Sequence, residues 1–335
     1  ARPEAECRLG PARRDGLGLS SAGGESGALF ASGVEARRAV LLEEDRALFD
    51  FDVRRREAAQ AAVPHLRQRA DGLLLGVSAE ARADAANFCS DDTLARYLVT
   101  CDGNVEKATS MLKATLEWRA TFFNGIDMTF TKSSGSAPPK TLCPCCRTDP
   151  RQHSFFRVGT DAVGRDVIYS CAGRASNKHC EDGMRHMALE LERLFHGSGG
   201  PGQAVWLVDF AGFGFADCNP WVGMSAVPLF ANHYSERLAQ IVLFGLPALA
   251  NGMVNVIMKL VDSVTRRRVV ILRGEAAQRR YMDAYWSHDL AMLEWIQAAL
   301  RTKGVPGSYP EAMLSQALKD DSAVEMLGRC AAIPA

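Results

Sequence analysis

Ala204-Val-Trp-Leu-Val208, then Gln240-Ile-Val-Leu-Phe244, then Arg268-Val-Val-Ile-Leu272 are three apolar runs of strand length, rich in β-branched residues. Asp209 stops the first, and Gly245-Leu-Pro247 stops the second. The gaps between them are long enough for crossover helices. Continuous apolar runs joined by helices predict an α/β fold with a parallel sheet covered on both faces.

The second crossover is unusual. From Ala248 to Val261 the polar residues Asn251, Asn255 and Lys259 recur at i, i+4 and i+8, and apart from Gly252 the remainder is apolar. On a helix these three form a narrow polar stripe, so one flank packs on the sheet while the other still needs an apolar neighbour. That neighbour is either a second layer of protein or a membrane met by a movable wall. No charge occurs between Arg237 and Lys259, a span long enough to cross a bilayer. However, Gly245, Pro247 and Gly252 interrupt it, and Gln240, Asn251 and Asn255 would sit in hydrocarbon, so a strand running into a helix is the better reading.

Working outward, the 335 residues suit one sizeable domain with appendages, and 47% hydrophobic content supplies a core. Lys+Arg and Asp+Glu both total 39, so the net charge of +0 gives no global electrostatic argument for nucleic-acid binding. Ten scattered cysteines, with no apolar signal-peptide core in the first thirty residues, read as reduced thiols of an intracellular, cytoplasmic protein. Residues 1–33, rich in Gly, Ala, Ser and Arg, read as disordered. Residues 34–85 read as a helical extension, with one extended surface helix from Glu35 to about Arg69 bent by Pro64. Residues 86–124 form a helical hairpin, capped by Ser90 and Asn104 around the turn Asp102-Gly-Asn104. Residues 125–152 are a linker with a cysteine cluster. Residues 153–310 hold the main domain: a hairpin around Asp161-Ala-Val-Gly164, a helix from Glu181 to Phe195, the three runs, and a helix from Tyr281 to Leu300. Residues 311–335 are a tail with a short helix.

Several motifs fail on inspection. Gly197-Ser-Gly-Gly-Pro-Gly202 has no Lys-Ser/Thr after it and precedes a strand. Gly212-Phe-Gly214 follows a strand, but Asp217 stands where a dinucleotide fingerprint needs its third glycine. There is no Gly-x-Ser-x-Gly elbow. His233 and Asp209 are plausible spatial partners, yet no nucleophile accompanies them, so no catalytic residue, no enzyme activity and no cofactor is expected. Cys143-Pro-Cys-Cys146 contains C-x-x-C with His153 nearby, but a zinc site needs four ligands. A second pair at suitable spacing is absent unless His179-Cys180 folds back. Cys143, Cys146 and His153 are therefore expected to be packing residues of a loop, with no metal. Arg266-Arg-Arg268 is either a solvated loop or an anion site at the edge of the sheet.

Four stretches together resemble the CRAL-TRIO lipid-binding family. His233-Tyr-Ser-Glu-Arg-Leu238 resembles its His/Tyr-Tyr-Pro-Glu-Arg-Leu signature. Trp206-Leu-Val-Asp209 with Gly212 resembles the strand before its Asp-x-x-Gly turn. Asp161 to Tyr169 resembles the Asp-x-x-Gly-Arg-Pro-Val hairpin, and Leu116-Glu-Trp-Arg119 resembles the end of the preceding helical lobe. They occur in family order between about Asp91 and Leu300. Ser235 and Asp166 replace two prolines of these motifs, and the Gly-Gly that usually closes the domain is missing near Tyr309.

The resemblance implies a small helical lobe followed by a mostly parallel sheet, with a mobile gate helix over a hydrophobic pocket. The gate falls on Leu249 to Val261. It further implies binding of one phospholipid or other hydrophobic ligand and its exchange with a membrane surface met peripherally and transiently. Phosphatidylinositol-binding members use the Glu of Pro-Glu-Arg and a Lys before the last strand, which places headgroup contacts at Glu236 and Arg268, with Arg237 beside them. Small hydroxyl residues that favour choline are replaced by Ala204 and Trp206, which argues against phosphatidylcholine. Pocket and gate positions are expected at Tyr169, Trp206, Val208, Phe244, Leu246, Leu249, Met253, Val256, Ile257 and Leu260, with hinges at Gly245, Pro247 and Gly252. The alternative is a non-transferring adaptor that senses lipid and presents the N-terminal helix to a protein partner.

Overall fold

The computed structural model describes residues 34–124, 126, 143–149, 151–195, 202–302 and 304–306. The stretch expected to be disordered, most of the linker, most of the Gly197–Gly202 loop and the tail lie outside them.

After a short helical run at 34–39, five helices follow: α1 (Glu43–Gln60), α2 (Val63–Leu75), α3 (Ala79–Phe88), α4 (Asp91–Thr100) and α5 (Val105–Phe122). The single helix expected over Glu35 to Arg69 is instead broken at 40–42 and at 61–62, and Pro64 falls in the first turn of α2, where its missing N–H is needed least. Nor is α1 a surface appendage. Leu41, two residues before it, is buried against the sheet, and Asp45 accepts a hydrogen bond from Tyr285 Oη. The expected caps form: Ser90 Oγ accepts from Thr93 N–H and Asn104 Oδ1 accepts from Lys107 N–H. Leu66, Leu94, Leu98 and Leu112 fill the interior of the lobe.

The rest is built as α6 (Pro144–Thr148), β1 (Phe155–Thr160), β2 (Asp166–Cys171), α7 (Cys180–Phe195), β3 (Ala204–Asp209), α8 (Pro220–Pro228), β4 (Leu238–Phe244), α9 (Ala248–Leu260), α10 (Ser263–Arg267), β5 (Val269–Leu272), α11 (Glu275–Tyr285) and α12 (Leu290–Arg301). β1 and β2 pair antiparallel, closed by Asp161, whose Oδ1 accepts from the N–H groups of Val163 and Arg165. β2 to β5 pair parallel and lie in sequence order. Two boundaries differ from the sequence reading. Arg268 caps α10 and does not open β5. The helix expected from Tyr281 to Leu300 breaks at Trp286, which leaves helical geometry to bury its indole against Phe244 with ring centroids 5.9 Å apart, and Asp289 then caps α12.

Strands in sequence order with right-handed crossovers place α7, α8 and α9 on one face of the sheet. The packing agrees. Ile168 and Trp206 meet α7 and α8, and Leu243 meets Ala250 and Val254 of α9. The other face carries Val167, Tyr169, Val205, Leu207, Val242 and Phe244 and is sealed by Tyr281, Tyr285, Trp286, Met292 and Trp295. Alternate residues of each strand thus belong to two different interiors.

Arg119 bolts the helical lobe to the sheet domain. It is 4% exposed, donates to Glu192 at 2.5 and 3.0 Å and to Asp84 at 3.0 Å, and lies over the Phe88 ring at 4.4 Å. Tyr234 Oη donates to Glu192 at 2.8 Å. Burial opposes the charge on Glu192, but Arg119 outweighs it and holds the carboxyl below its ordinary pKa. Replacing Arg119 by Met leaves a buried carboxylate without its cation and is expected to cost about 3–5 kcal/mol in urea unfolding. The double variant with Glu192→Met should recover much of that loss.

His233 stacks on Trp118 at the same junction, centroids 4.0 Å apart, with Nδ1 3.0 Å from Thr115 Oγ1. Burial, then Arg119, lowers its pKa from 6.5 to about 4. The unfolded chain therefore takes up this proton first as pH falls, so stability is present above pH 6.5 and is lost between there and about 4. Discounted for partial exposure, the loss is about 1–2 kcal/mol. A His233→Phe variant should flatten the pH dependence of urea unfolding across that window.

Candidate functional site

Between the crossover face of the sheet and helices α7, α8 and α9 lies a cavity of about 780 Å3. That is within the range of ligand pockets, about 300–1,000 Å3. The sheet contributes Ser170, Trp206, Val208, Ile241 and Leu243, and α9 contributes Met253, Val254, Ile257 and Met258. Trp206 Nε1 donates to Ser170 Oγ at 2.7 Å, so its one polar atom is satisfied within the apolar wall.

Strand parity corrects part of the expected lining. Trp206 and Val208 line the cavity, but Tyr169 and Phe244 point through the sheet to the sealed face. Tyr169 Oη donates to Asp209 there at 2.6 Å. Their neighbours of opposite parity, Ser170 and Leu243, take the places expected for them; strict alternation along each run was the signal that finds these residues. Burial raises the pKa of Asp209, and His233 sits far from it against Thr115 and Trp118, so the two do not form a pair.

Helix α9 is apolar on two flanks. Ala250 and Val254 are buried, and Met253 and Ile257 face the cavity, while Leu249 and Val256 turn outward and are 39% and 49% exposed. Leu260 sits at the rim, and Leu246 packs beside Phe210 and Val254 without lining the cavity. The polar stripe of Asn251, Asn255 and Lys259 runs along the solvent side as its spacing predicts. Gly223 lets α8 and α9 approach closely: a Cβ there would lie 2.2 Å from Ile257 Cδ1. Of the expected hinges, Gly245 has φ 65°, which favours glycine; Pro247 caps α9, and Gly252 lies inside the helix.

Charge gathers at one end of the cavity. Arg268 donates to Glu236 at 2.5 Å, to Asp52 at 2.9 Å and to the Leu238 carbonyl at 2.5 Å. Arg55 donates to the other Glu236 oxygen at 3.0 Å. Glu236 holds φ 59°, rare for a residue with a side chain, which marks a locally over-determined backbone. Burial raises the pKa of Asp52 against the pull of Arg268. Burial also opposes the charge on Arg268, but Glu236 and Asp52 outweigh it and raise its pKa above the ordinary value. Arg268 Nε is buried with no hydrogen-bond partner among the described residues. Asp52 and Arg55 come from α1, and nothing in their local sequence announces that they reach a loop some 180 residues away. Arg237 is not part of this end: it donates to the Gly202 carbonyl and lies over the Phe195 ring at 4.2 Å.

The cysteine loop also differs from expectation. Cys143 and Cys146 flank the first turn of α6 and are buried beside His153, joined there by His186 from α7 and not by His179-Cys180. Hydrogen bonding from Cys146 holds the Cys143 thiol far below its ordinary pKa. None of the eight described cysteines is in a disulfide.

Among the described residues no helix is long and apolar enough to cross a membrane. No curated protein sequence matches the chain. A solved structure titled "Crystal structure of Sfh5" is similar at 14% identity over 69% of this chain and 80% of that one, with a TM-score of 0.43. The CRAL/TRIO domain model matches residues 151–289, the segment that carries β1 to β5 and α9. The likeness to the CRAL/TRIO domain family thus rests on residues 151–289 of the chain.

Proposed function

We propose that this protein binds one phospholipid, with an anionic headgroup of the phosphatidylinositol class, and exchanges it with membranes it touches peripherally. The observation that carries this reading is the apolar cavity whose outer wall, α9, is apolar on its far side as well. A phospholipid in water exposes about thirty methylenes, and at ~0.8 kcal/mol each this is roughly 25 kcal/mol of unfavourable hydration. A carrier must therefore enclose the chains, and the sheet, Met253, Ile257 and Met258 supply an enclosing wall that thioethers allow to adapt. Exposed Phe215, Trp221, Leu249, Val256 and Leu260 offer the apolar contact with a bilayer that a swinging α9 would need. Hinge motion is assigned to Gly245 and Pro247.

The headgroup is assigned to Arg268 and Glu236. The unpartnered Arg268 Nε offers a donor to a phosphate oxygen, and Glu236 can accept from ring hydroxyls. Asp52 and Arg55 already neutralise this pair, which favours a second reading: a non-transferring adaptor whose N-terminal helix α1 registers the bound lipid and presents it to a protein partner.

Mass spectrometry of lipid copurifying with the full chain should find phosphatidylinositol. A retinoid- or tocopherol-like ligand alone would remove Glu236 and Arg268 from the headgroup role. Transfer between donor and acceptor vesicles separates the carrier from the adaptor. Met253→Asp should slow that transfer about tenfold or more, since 1.4 kcal/mol suffices for that factor and a carboxylate in the wall costs more. Undiminished transfer by a folded Met253→Asp protein would count against α9 as the gate.

A further inference from the structure

Cys143, Cys146, His153 and His186 take no part in the lipid reading, yet three parts of the chain bring them together. Cys143 and Cys146 flank the first turn of α6, His153 precedes β1, and His186 lies in the second turn of α7. One ligand atom from each lies within 4.8 Å of all the others. Cys146 Sγ is 3.4 Å from His153 Nδ1 and 3.5 Å from His186 Nδ1, and Cys143 Sγ is 3.7 Å from His153 Nδ1. A tetrahedron with Zn–S of about 2.3 Å and Zn–N of about 2.05 Å has sulfur–nitrogen edges of about 3.6 Å. Three of the four sulfur–nitrogen edges bracket that value.

The imidazole protons are arranged to suit. His186 Nε2 lies 2.8 Å from the Phe155 carbonyl oxygen, which can only accept, so Nε2 carries the proton and Nδ1 turns its lone pair to the sulfurs. The two imidazoles stack with centroids 4.6 Å apart, and both Nδ1 atoms lie within 3.5 Å of Cys146 Sγ. All four side chains are at most 5% exposed, so no corner of the tetrahedron opens to solvent. Two thiols and two imidazoles are a soft donor set that selects zinc over magnesium or calcium. We infer that Cys143, Cys146, His153 and His186 form a closed structural Zn2+ site that ties α6 to β1 and α7 behind the cavity wall. Binding forms two Zn–S and two Zn–N bonds and releases the thiol protons, with no change of oxidation state. His153 and His186 also line the cavity, so the ion fixes part of the surface that a ligand would meet.

The test uses the full chain, purified under reducing conditions with any affinity tag removed. Elemental analysis should find close to one zinc per chain, and X-ray absorption should count two sulfur and two nitrogen neighbours. Replacing zinc by Co2+ should give the intense visible bands of tetrahedral cobalt together with sulfur-to-cobalt charge transfer. Cys146→Ser and His186→Gln should lose the metal, while Cys145→Ser, outside the set, should keep it. If the ligand variants fail to fold, the wild-type cobalt and X-ray spectra decide the matter alone. A folded, reduced protein that takes up neither ion would overturn the site, leaving a thiol–imidazole hydrogen-bond cluster. So would zinc with oxygen and nitrogen neighbours only, or equal metal loss in Cys145→Ser. None of these readouts depends on lipid binding.

Discussion

A parallel sheet whose strands follow sequence order must receive every right-handed crossover on the same face. Here that constraint crowds α7, α8 and α9 onto one side and leaves the other to the C-terminal helices and the start of α1. The two faces then solve different problems. Trp286, Trp295, Tyr281 and Met292 seal the second face, where Tyr281 Oη donates to Gln240 Oε1. The crossover face is not filled: α9 stands off the strands across Met253 and Ile257, and a cavity remains between them.

Buried charge is used to join parts of the chain that are distant in sequence. Arg119 couples the helical lobe to α7 through Glu192, and Arg268 couples α1 to the loop before β4 through Asp52 and Glu236. In both cases the arginine spreads its donors over several acceptors, which suits its planar fork. Such pairs contribute less to net stability than to fixing one arrangement, because desolvation offsets much of the Coulomb attraction. The second cluster lies at the cavity end. Its opposite charges are balanced within the protein, so an anionic ligand entering there must exchange partners with α1.

The Cys2His2 cluster stands at another edge of the same cavity. It clamps α6, a five-residue helix with little surface to bury on its own, to β1 and α7. The segment from α6 to β1 is thereby held by side-chain chemistry where its backbone offers little pairing.

Local sequence determined the strands, their parallel pairing, the helix caps at Ser90 and Asn104, and the two-flanked character of α9, because periodicity and capping act over a few residues. It also carried the family motifs, and with them the Glu236–Arg268 pair. It did not determine which side chains share the cavity: a continuous apolar run hides its alternation, so Tyr169 and Phe244 read like Trp206 and Val208 although they point the other way. Trp286 breaking a helix was invisible for the same reason, since the cause is a burial site on β4. Only the tertiary structure brought Asp52 and Arg55 to Arg268 and gave Cys143, Cys146 and His153 their fourth partner in His186. Those meetings are set by how helices pack over a sheet, and packing brings together residues that no spacing along the chain connects.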